Sequence, residues 1–120
     1  RNLDVTVKFT KTFEDGAQGF CYQGDDDRDF TIEVDHRLSR ATSKEEFIEC
    51  IIHEMVHVWQ GATGRIKDKF RGGYKKLWKC KDGKYRNYLN TAYEKQPWEV
   101  EAYKMQGPLT KAFMEEYGYE

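Results

Sequence analysis

The sequence has few cysteines and no long apolar run, and each shortage excludes a class of protein. Its three cysteines, Cys21, Cys50 and Cys80, form an odd set at wide spacing without a CxxC pair. This pattern argues against a disulfide framework and a cysteine-based zinc ribbon, and it favours reduced thiols in a cytosol-like compartment. No stretch approaches the roughly 18 apolar residues of a membrane span, and no basic-then-apolar leader is visible. We therefore expect a cytoplasmic protein that does not cross a membrane.

Apolar residues are also scarce, at 38%, whereas charged residues make up 34% and aromatic residues 15% of the 120 positions. The length corresponds to one domain, residues 1–120. The apolar residues recur periodically and the aromatics are numerous, which excludes a disordered chain. We expect a small core rich in Tyr, Phe and Trp beneath a heavily charged surface.

Three segments in the first third of the chain predict β-strands. Residues 3–10 and 30–38 alternate between apolar and polar positions, and residues 16–24 place glycines around a short aromatic run. Further along, the Asp82-Gly83 pair predicts the turn of a β-hairpin.

A helix is predicted between Ser43 and Gly61. Ser43 followed three residues later by Glu46 is a capping-box signature, and Gly61 is suited to the position just after the helix. The apolar residues of this segment form a broad stripe, so we expect it to be the buried central helix. Pro97 predicts the first turn of a second helix that ends at Gly107, and residues 108–118 predict a last short helix.

The central helix carries the motif HEMVH at residues 53–57. A helix turns 100° per residue, so His53 and His57 lie on one face and can present imidazole nitrogens to one metal ion. Glu54 is rotated to the side, from where its carboxylate can reach a metal-bound water without binding the metal. The pattern therefore predicts a Zn²⁺ site with Glu54 as general base for hydrolysis.

A hydrolytic zinc ion needs a third protein ligand. The remaining histidine, His36, is upstream, so a downstream ligand would be a carboxylate or a cysteine. Glu99 is the preferred candidate because it falls in the first turn of a predicted helix, and a rigid helix holds a ligand better than a loop. The other candidates are Asp68, Cys80, Asp82, Glu94 and Glu101, with Glu101 and Asp68 next in preference.

The stretch HEMVHVWQ resembles the active helix of SprT-like metallopeptidases, and QPWEVEAY resembles the helix that carries the third ligand in minimal HExxH peptidases of phage and bacteria. The resemblance covers residues 30–106. It implies a zinc metalloendopeptidase of the gluzincin type and an α+β, zincin-like fold, with a small twisted antiparallel or mixed sheet on the HExxH helix and C-terminal helices. It also implies that the predicted third strand is an edge that pairs with an extended peptide substrate.

Two tyrosines and two departures accompany this resemblance. A zincin needs a group that stabilises the oxyanion, and Tyr93 and Tyr103 are candidates because they lie near Glu99 in the sequence. SprT-like domains usually have a third histidine ligand and often end in a zinc ribbon, and this chain has neither.

Residues 65–86 concentrate positive charge, with ten Lys or Arg against two Asp, a net charge of about +8. Aromatic residues are interleaved with the cations: Phe70, Tyr74, Trp78 and Tyr85. Such a mixture can bind phosphate backbones and stack on unpaired bases. The alternative function is therefore a nucleic-acid-binding module, or a peptidase tethered to nucleic acid. The segment could also be a platform for an acidic protein substrate, or simply a pair of solvated lysine-rich loops near the cleft.

Overall fold

A computed structural model describes residues 3–10, 19–24, 28–35, 43–69 and 71–117. Over these ranges the chain forms two helices and two three-stranded sheets, which confirms the predicted α+β class. No helix in the described ranges has both the length and the apolar content needed to cross a membrane.

The first sheet is mixed and contains the strands β1 (Asp4–Thr10), β2 (Gly19–Gln23) and β3 (Asp29–Asp35). Their order is β1-β3-β2, with β3 parallel to β1 and antiparallel to β2. The expectation that the third strand is an edge is therefore wrong, because β3 has a hydrogen-bonded neighbour on each side. Strand β2 lies next to β3 and forms one edge of this sheet. Residues 16–18 and 36–38 of the predicted strands lie outside the described residues, as does His36.

Helix α1 (Lys44–Ala62) packs its apolar stripe on this sheet. It begins as predicted, because the Ser43 hydroxyl oxygen accepts a hydrogen bond from the Glu46 backbone N–H at 3.1 Å. Alternate residues of β3 point at the helix, and the resulting core consists of Phe30, Ile32, Val34 and Val58. The HEMVH motif is thereby held on a helix fixed by the core.

Gly61 lies inside α1 and does not terminate it, so that part of the prediction is wrong. The helix continues to Ala62 and is capped by Thr63. A Cβ atom at Gly61 would lie 2.7 Å from a ring carbon of Phe30. Because glycine has no side chain, the helix can approach the sheet closely at this position.

The second sheet contains the antiparallel strands β4 (Ile66–Lys69), β5 (Lys75–Lys79) and β6 (Tyr85–Asn87). The hairpin predicted at Asp82-Gly83 is confirmed, and it joins β5 to β6. Gly83 has a φ of +83°, a conformation that residues with a side chain rarely adopt.

Helix α2 (Pro97–Glu116) follows a single 3₁₀ turn (Tyr93–Lys95) and packs against α1. Pro97 occupies its first turn as predicted, but the predicted break at Gly107 is wrong, because the helix continues through Pro108. A proline inside a helix removes one intrahelical hydrogen bond and costs about 3 kcal/mol. The buried residues Trp98, Ala102 and Thr110 recur on one face on both sides of the proline, and their packing favours one continuous helix.

Candidate metal centre

The two histidines of the motif point at one carboxylate oxygen. His53 and His57 lie one turn apart on α1, and their Nε2 atoms are 2.8 Å and 3.2 Å from Oε1 of Glu99 on α2. His53 and Glu99 are buried, at 7% and 8% exposure. The potential ligand atoms of the three side chains all lie within 4.8 Å of one another. The packing of α2 on α1 therefore brings together the three residues that the sequence favoured as metal ligands.

Three of the other carboxylates considered from the sequence have different partners, and Glu94 does not belong to the cluster. Glu101 turns away from the histidines and pairs with Arg65 at 2.8 Å. Asp68 accepts a hydrogen bond from the Tyr74 hydroxyl at 2.8 Å and lines the same cleft as the two histidines. Asp82 pairs with Arg86 at the hairpin turn. Within the described ranges, the only group of three potential metal-binding side chains with this geometry is His53, His57 and Glu99.

Two glutamine side chains fix the orientation of the imidazole rings. The Nδ1 of His53 is 2.6 Å from Oε1 of Gln106, and the Nδ1 of His57 is 2.8 Å from Oε1 of Gln60. An amide oxygen only accepts hydrogen bonds, so each ring donates from Nδ1. In the neutral ring this leaves the Nε2 lone pair directed at the centre, which is the tautomer that a metal ion requires.

Gln60 is fully buried and extends this arrangement to the second helix. Its amide nitrogen donates to the Trp98 carbonyl oxygen and to the Glu101 carboxylate, both at 3.0 Å. Glu101 in turn binds Arg65. His57 is thus positioned by a continuous chain of hydrogen bonds that ends in an ion pair.

The charges of the centre favour a bound cation. Burial acts to raise the pKa of the Glu99 carboxyl, but hydrogen bonds from His53 and His57 outweigh it and lower that pKa to about 2. Burial acts to lower the pKa of His53, and its bonds to Glu99 and Gln106 outweigh this and raise it. When both rings are neutral, two nitrogen lone pairs and one carboxylate oxygen converge, and a metal ion at this point replaces the protons that otherwise join the rings to Glu99. The donor set of two imidazoles and a carboxylate fits Zn²⁺.

Glu54 is buried beside the centre, next to strand β2. Burial raises the pKa of its carboxyl, although the nearby His57 and His53 act to lower it. A Cβ atom at Gly19 would lie 3.2 Å from Oε2 of Glu54 and 3.2 Å from Sγ of Cys50. The absence of a side chain at Gly19 therefore leaves room for the Glu54 carboxylate beneath the strand.

A cleft of about 710 Å³ opens over these residues. Its floor includes His53, Glu54, His57 and Glu99, and one wall is formed by all five residues of β2. A ligand held at the centre is thus accessible from this cleft and borders the edge strand.

Tyr93 and Tyr103 stand on the α2 side of the cleft. The Tyr93 hydroxyl donates to Oε1 of Glu99 at 3.2 Å and lies 3.2 Å from the Tyr103 hydroxyl. The Tyr103 ring is 4.5 Å from the His53 ring, between ring centroids. Both candidates from the sequence therefore lie near the centre, and Tyr93 is already engaged with Glu99.

Gln60, Gln106 and Gly19 did not emerge from the sequence as functional residues. Gln60 had a detectable signal, since it is a polar residue on an apolar helix three positions after His57. Gln106 follows Glu99 by seven positions, two helical turns, and so lies on the same face. Gly19 had no such signal, because its contact with Glu54 depends on how the sheet packs on α1.

Comparison with known proteins adds no relative. No protein-family model matches the sequence, no curated protein matches it, and no solved structure matches the fold.

Proposed function

We propose that this protein is a zinc metalloendopeptidase with a zincin-like fold. The observation that carries this proposal is the convergence of His53 Nε2, His57 Nε2 and Glu99 Oε1 on one point beside a cleft, with both Nδ1 atoms bonded to amide oxygens. Three protein ligands leave a fourth position of a tetrahedral zinc ion for water or substrate. A structural zinc site would be closed and would have no use for a buried Glu54.

The arrangement of elements supports a relationship to SprT-like and minimal gluzincin-type peptidases of phage or bacteria. A mixed sheet with an antiparallel edge strand lies on the HExxH helix, and a second helix supplies a glutamate. Because the cluster uses Glu99 and no third histidine, the minimal gluzincin type is the better fit of the two.

In the proposed reaction Glu54 transfers a proton from the attacking water to the leaving amine. Zinc held by His53, His57 and Glu99 would lower the pKa of a bound water to about 7. With zinc bound, the Glu54 carboxylate would serve as the general base that accepts a proton from water and as the acid that returns it to the nitrogen of the leaving amine. Burial raises the pKa of Glu54, which brings this base closer to the pH at which it works.

We assign stabilisation of the oxyanion to the hydroxyl of Tyr103. Tyr93 donates its only hydroxyl proton to Glu99, so Tyr103 is the donor in the 3.2 Å contact between the two tyrosines, and its proton can be redirected to a bound oxyanion. A hydroxyl donor aimed at the developing negative charge contributes where water is partly excluded. In this arrangement Tyr93 steadies both Glu99 and the Tyr103 hydroxyl.

We propose that the substrate peptide lies along β2 and not along β3, because β3 is the central strand of its sheet. Among the described residues β2 has one strand neighbour, β3, and so forms an edge of its sheet. Addition of a strand at a sheet edge is a common mode of binding for extended peptides. All of β2 lines the cleft, and Gly19 lies against Glu54. A peptide paired with this edge runs directly past the general base.

The test is cleavage of fluorescently labelled casein by the parent protein and by Glu54→Gln. We expect the substitution to reduce cleavage by at least about 10²-fold, because general-base catalysis contributes 10²–10⁴-fold. Metal content should remain at one zinc per chain, since Glu54 is not a ligand. The control Glu45→Gln, on an exposed turn of the same helix, should cleave at the parent rate. Equal rates for Glu54→Gln and the parent protein would refute the mechanism.

A further inference from the structure

The strands of the second sheet separate its charges onto two faces. On the face toward the cleft, Ile66 and Asp68 of β4 lie beside Trp78 and Lys76 of β5. Because side chains alternate along a strand, the opposite face carries four lysines. We call this the lysine face, and it consists of Lys67, Lys69, Lys75 and Lys79.

Within the part of the chain that the structure describes, the lysine face has no acidic partner. All four lysines are exposed, and none lies within 4.0 Å of a carboxylate among the described residues. Lys69 and Lys75 are directly opposite each other in the β4–β5 register. Like charges in that arrangement destabilise a sheet, so an anion bound to this face would relieve a repulsion built into the fold.

Two other cations in residues 65–86 form ion pairs with carboxylates. Arg65 binds Glu101 and lies between the rings of Trp59 and Trp78, 5.3 Å and 5.0 Å from their centroids. Arg86 binds Asp82. Arg65 and Arg86 are thus neutralised by ion pairs within the described residues, whereas the four lysines of the lysine face are not.

The aromatic residues of the sheet are not placed to stack on bases. Trp78 is covered by Arg65, and Lys67 lies 4.6 Å from the centroid of the Tyr85 ring. Tyr74 is exposed, but its hydroxyl is bonded to Asp68, which lines the cleft on the face opposite the lysines, and Phe70 lies outside the described residues. The stacking on unpaired bases expected from the sequence is thus not supported by these positions, whereas the contact with phosphates is.

We infer that the lysine face binds the phosphate backbone of double-stranded nucleic acid without reading its sequence. Proteins that prefer single strands use free aromatic faces, which are lacking here among the described sheet residues. A membrane surface is a poorer match, because Leu77 at the centre of the face is buried and offers no apolar anchor. Charge complementarity between a rigid array of lysines and closely spaced phosphates remains as the basis of recognition.

The parent protein tests this inference by fluorescence anisotropy with a labelled 20-base-pair DNA. Four lysine–phosphate contacts give a slope of log affinity against log salt of about −3.6, which is a loss of roughly 100-fold between 50 and 200 mM NaCl. Affinity should not depend on base sequence, and a single strand of equal length should bind no more tightly. A slope near zero, single-strand binding tenfold tighter than duplex binding, or binding to phosphatidylserine vesicles but not to DNA would each overturn the inference.

Two variants with equal loss of charge locate the binding surface. Replacing the four lysines of the lysine face by Gln should reduce duplex affinity at 50 mM NaCl by at least about 100-fold and make the salt slope shallower. The control replaces four exposed lysines elsewhere by Gln, namely Lys8, Lys95, Lys104 and Lys111. It should bind as the parent does, and an equal loss in both variants would contradict the assignment. Binding does not involve the metal centre, so these results are independent of any peptidase activity.

Discussion

At the scale of single residues, the candidate centre depends on side chains that never touch the proposed metal. Gln60 and Gln106 each accept a hydrogen bond from the Nδ1 of one histidine and so direct both Nε2 lone pairs to the same point. Such partners hold a ring in one orientation and one tautomer, and their loss commonly costs 10–100-fold in metal affinity. The HExxH pattern supplies the two histidine ligands. The two glutamine amides direct the Nε2 atoms of these histidines to the same point.

Replacing Gln60 by Leu should weaken zinc binding by about 10–100-fold, because His57 loses the acceptor that fixes its tautomer. A competition titration against a chelator of known affinity measures this change. The matched control is Gln96→Leu, since Gln96 bonds the Thr91 carbonyl oxygen and no histidine. Equal zinc affinity in Gln60→Leu and the parent protein would show that the amide does not position the ring.

Cys21 predicts how stability depends on alkaline pH. Burial, followed by the negative charge of Glu54, raises the pKa of its thiol to about 12. In the unfolded chain the pKa of a cysteine thiol is about 8.5. Between these values the unfolded state loses its proton first, so the free energy of unfolding falls by about 1.4 kcal/mol per pH unit from this group. Below about pH 8.5 the group contributes no pH dependence.

Urea unfolding of the parent protein and Cys21→Ala at pH 8 and pH 10 measures this contribution. The parent should lose more stability than the variant between the two pH values. An identical loss in both proteins would mean that the Cys21 thiol does not stay protonated in the folded state.

At the scale of elements, local patterns predicted the helices and strands better than their ends and neighbours. The Ser43–Glu46 capping box placed the start of α1 correctly, since the bond that defines it spans only three residues. The ends at Gly61 and Gly107 were wrong, because packing against Phe30 and along the Trp98 face decides those positions. The edge position of β2 was also not predictable, since the parallel pairing of β1 with β3 leaves no local signal.

Gly61 and Gly107 form a matched pair for testing this explanation. Gly61→Ala should destabilise the fold by about 1–3 kcal/mol, because its Cβ would overlap the Phe30 ring. Gly107→Ala has no atom within 4 Å of the added Cβ and should stabilise the helix by about 0.4–1 kcal/mol. Thermal unfolding of the two variants measures both signs. A stabilising Gly61→Ala would show that the helix and sheet can separate without cost.

At the scale of the whole molecule, charge is distributed unevenly, and the cleft and the lysine face are separate surfaces. The chain has a net charge of −1, yet residues 65–86 hold about +8, so the remainder is correspondingly acidic. The cleft lies on one side of the second sheet and the lysine face on the other. A molecule bound to the lysine face therefore leaves the cleft open, which is the arrangement expected if one surface tethers the protein and the other acts on a peptide.

The sequence anticipated the grouping of His53, His57 and Glu99 because the ligands occupy regular positions on two helices. It left Glu101 and Asp68 as alternatives, since the rotation of α2 against α1 is a property of the assembled fold. That rotation directs Glu99 to the histidines and Glu101 to Gln60 and Arg65. The identity of the third ligand therefore depends on the tertiary structure more than that of the two histidines does.

Zinc stoichiometry of the purified protein, measured by elemental analysis alongside Glu99→Ala and Glu101→Ala, tests this point most directly. We expect one zinc per chain in the parent protein, little or none in Glu99→Ala, and a retained ion in Glu101→Ala. A parent protein without stoichiometric metal, or a Glu99→Ala variant that keeps its zinc while Glu101→Ala loses it, would contradict the proposed centre.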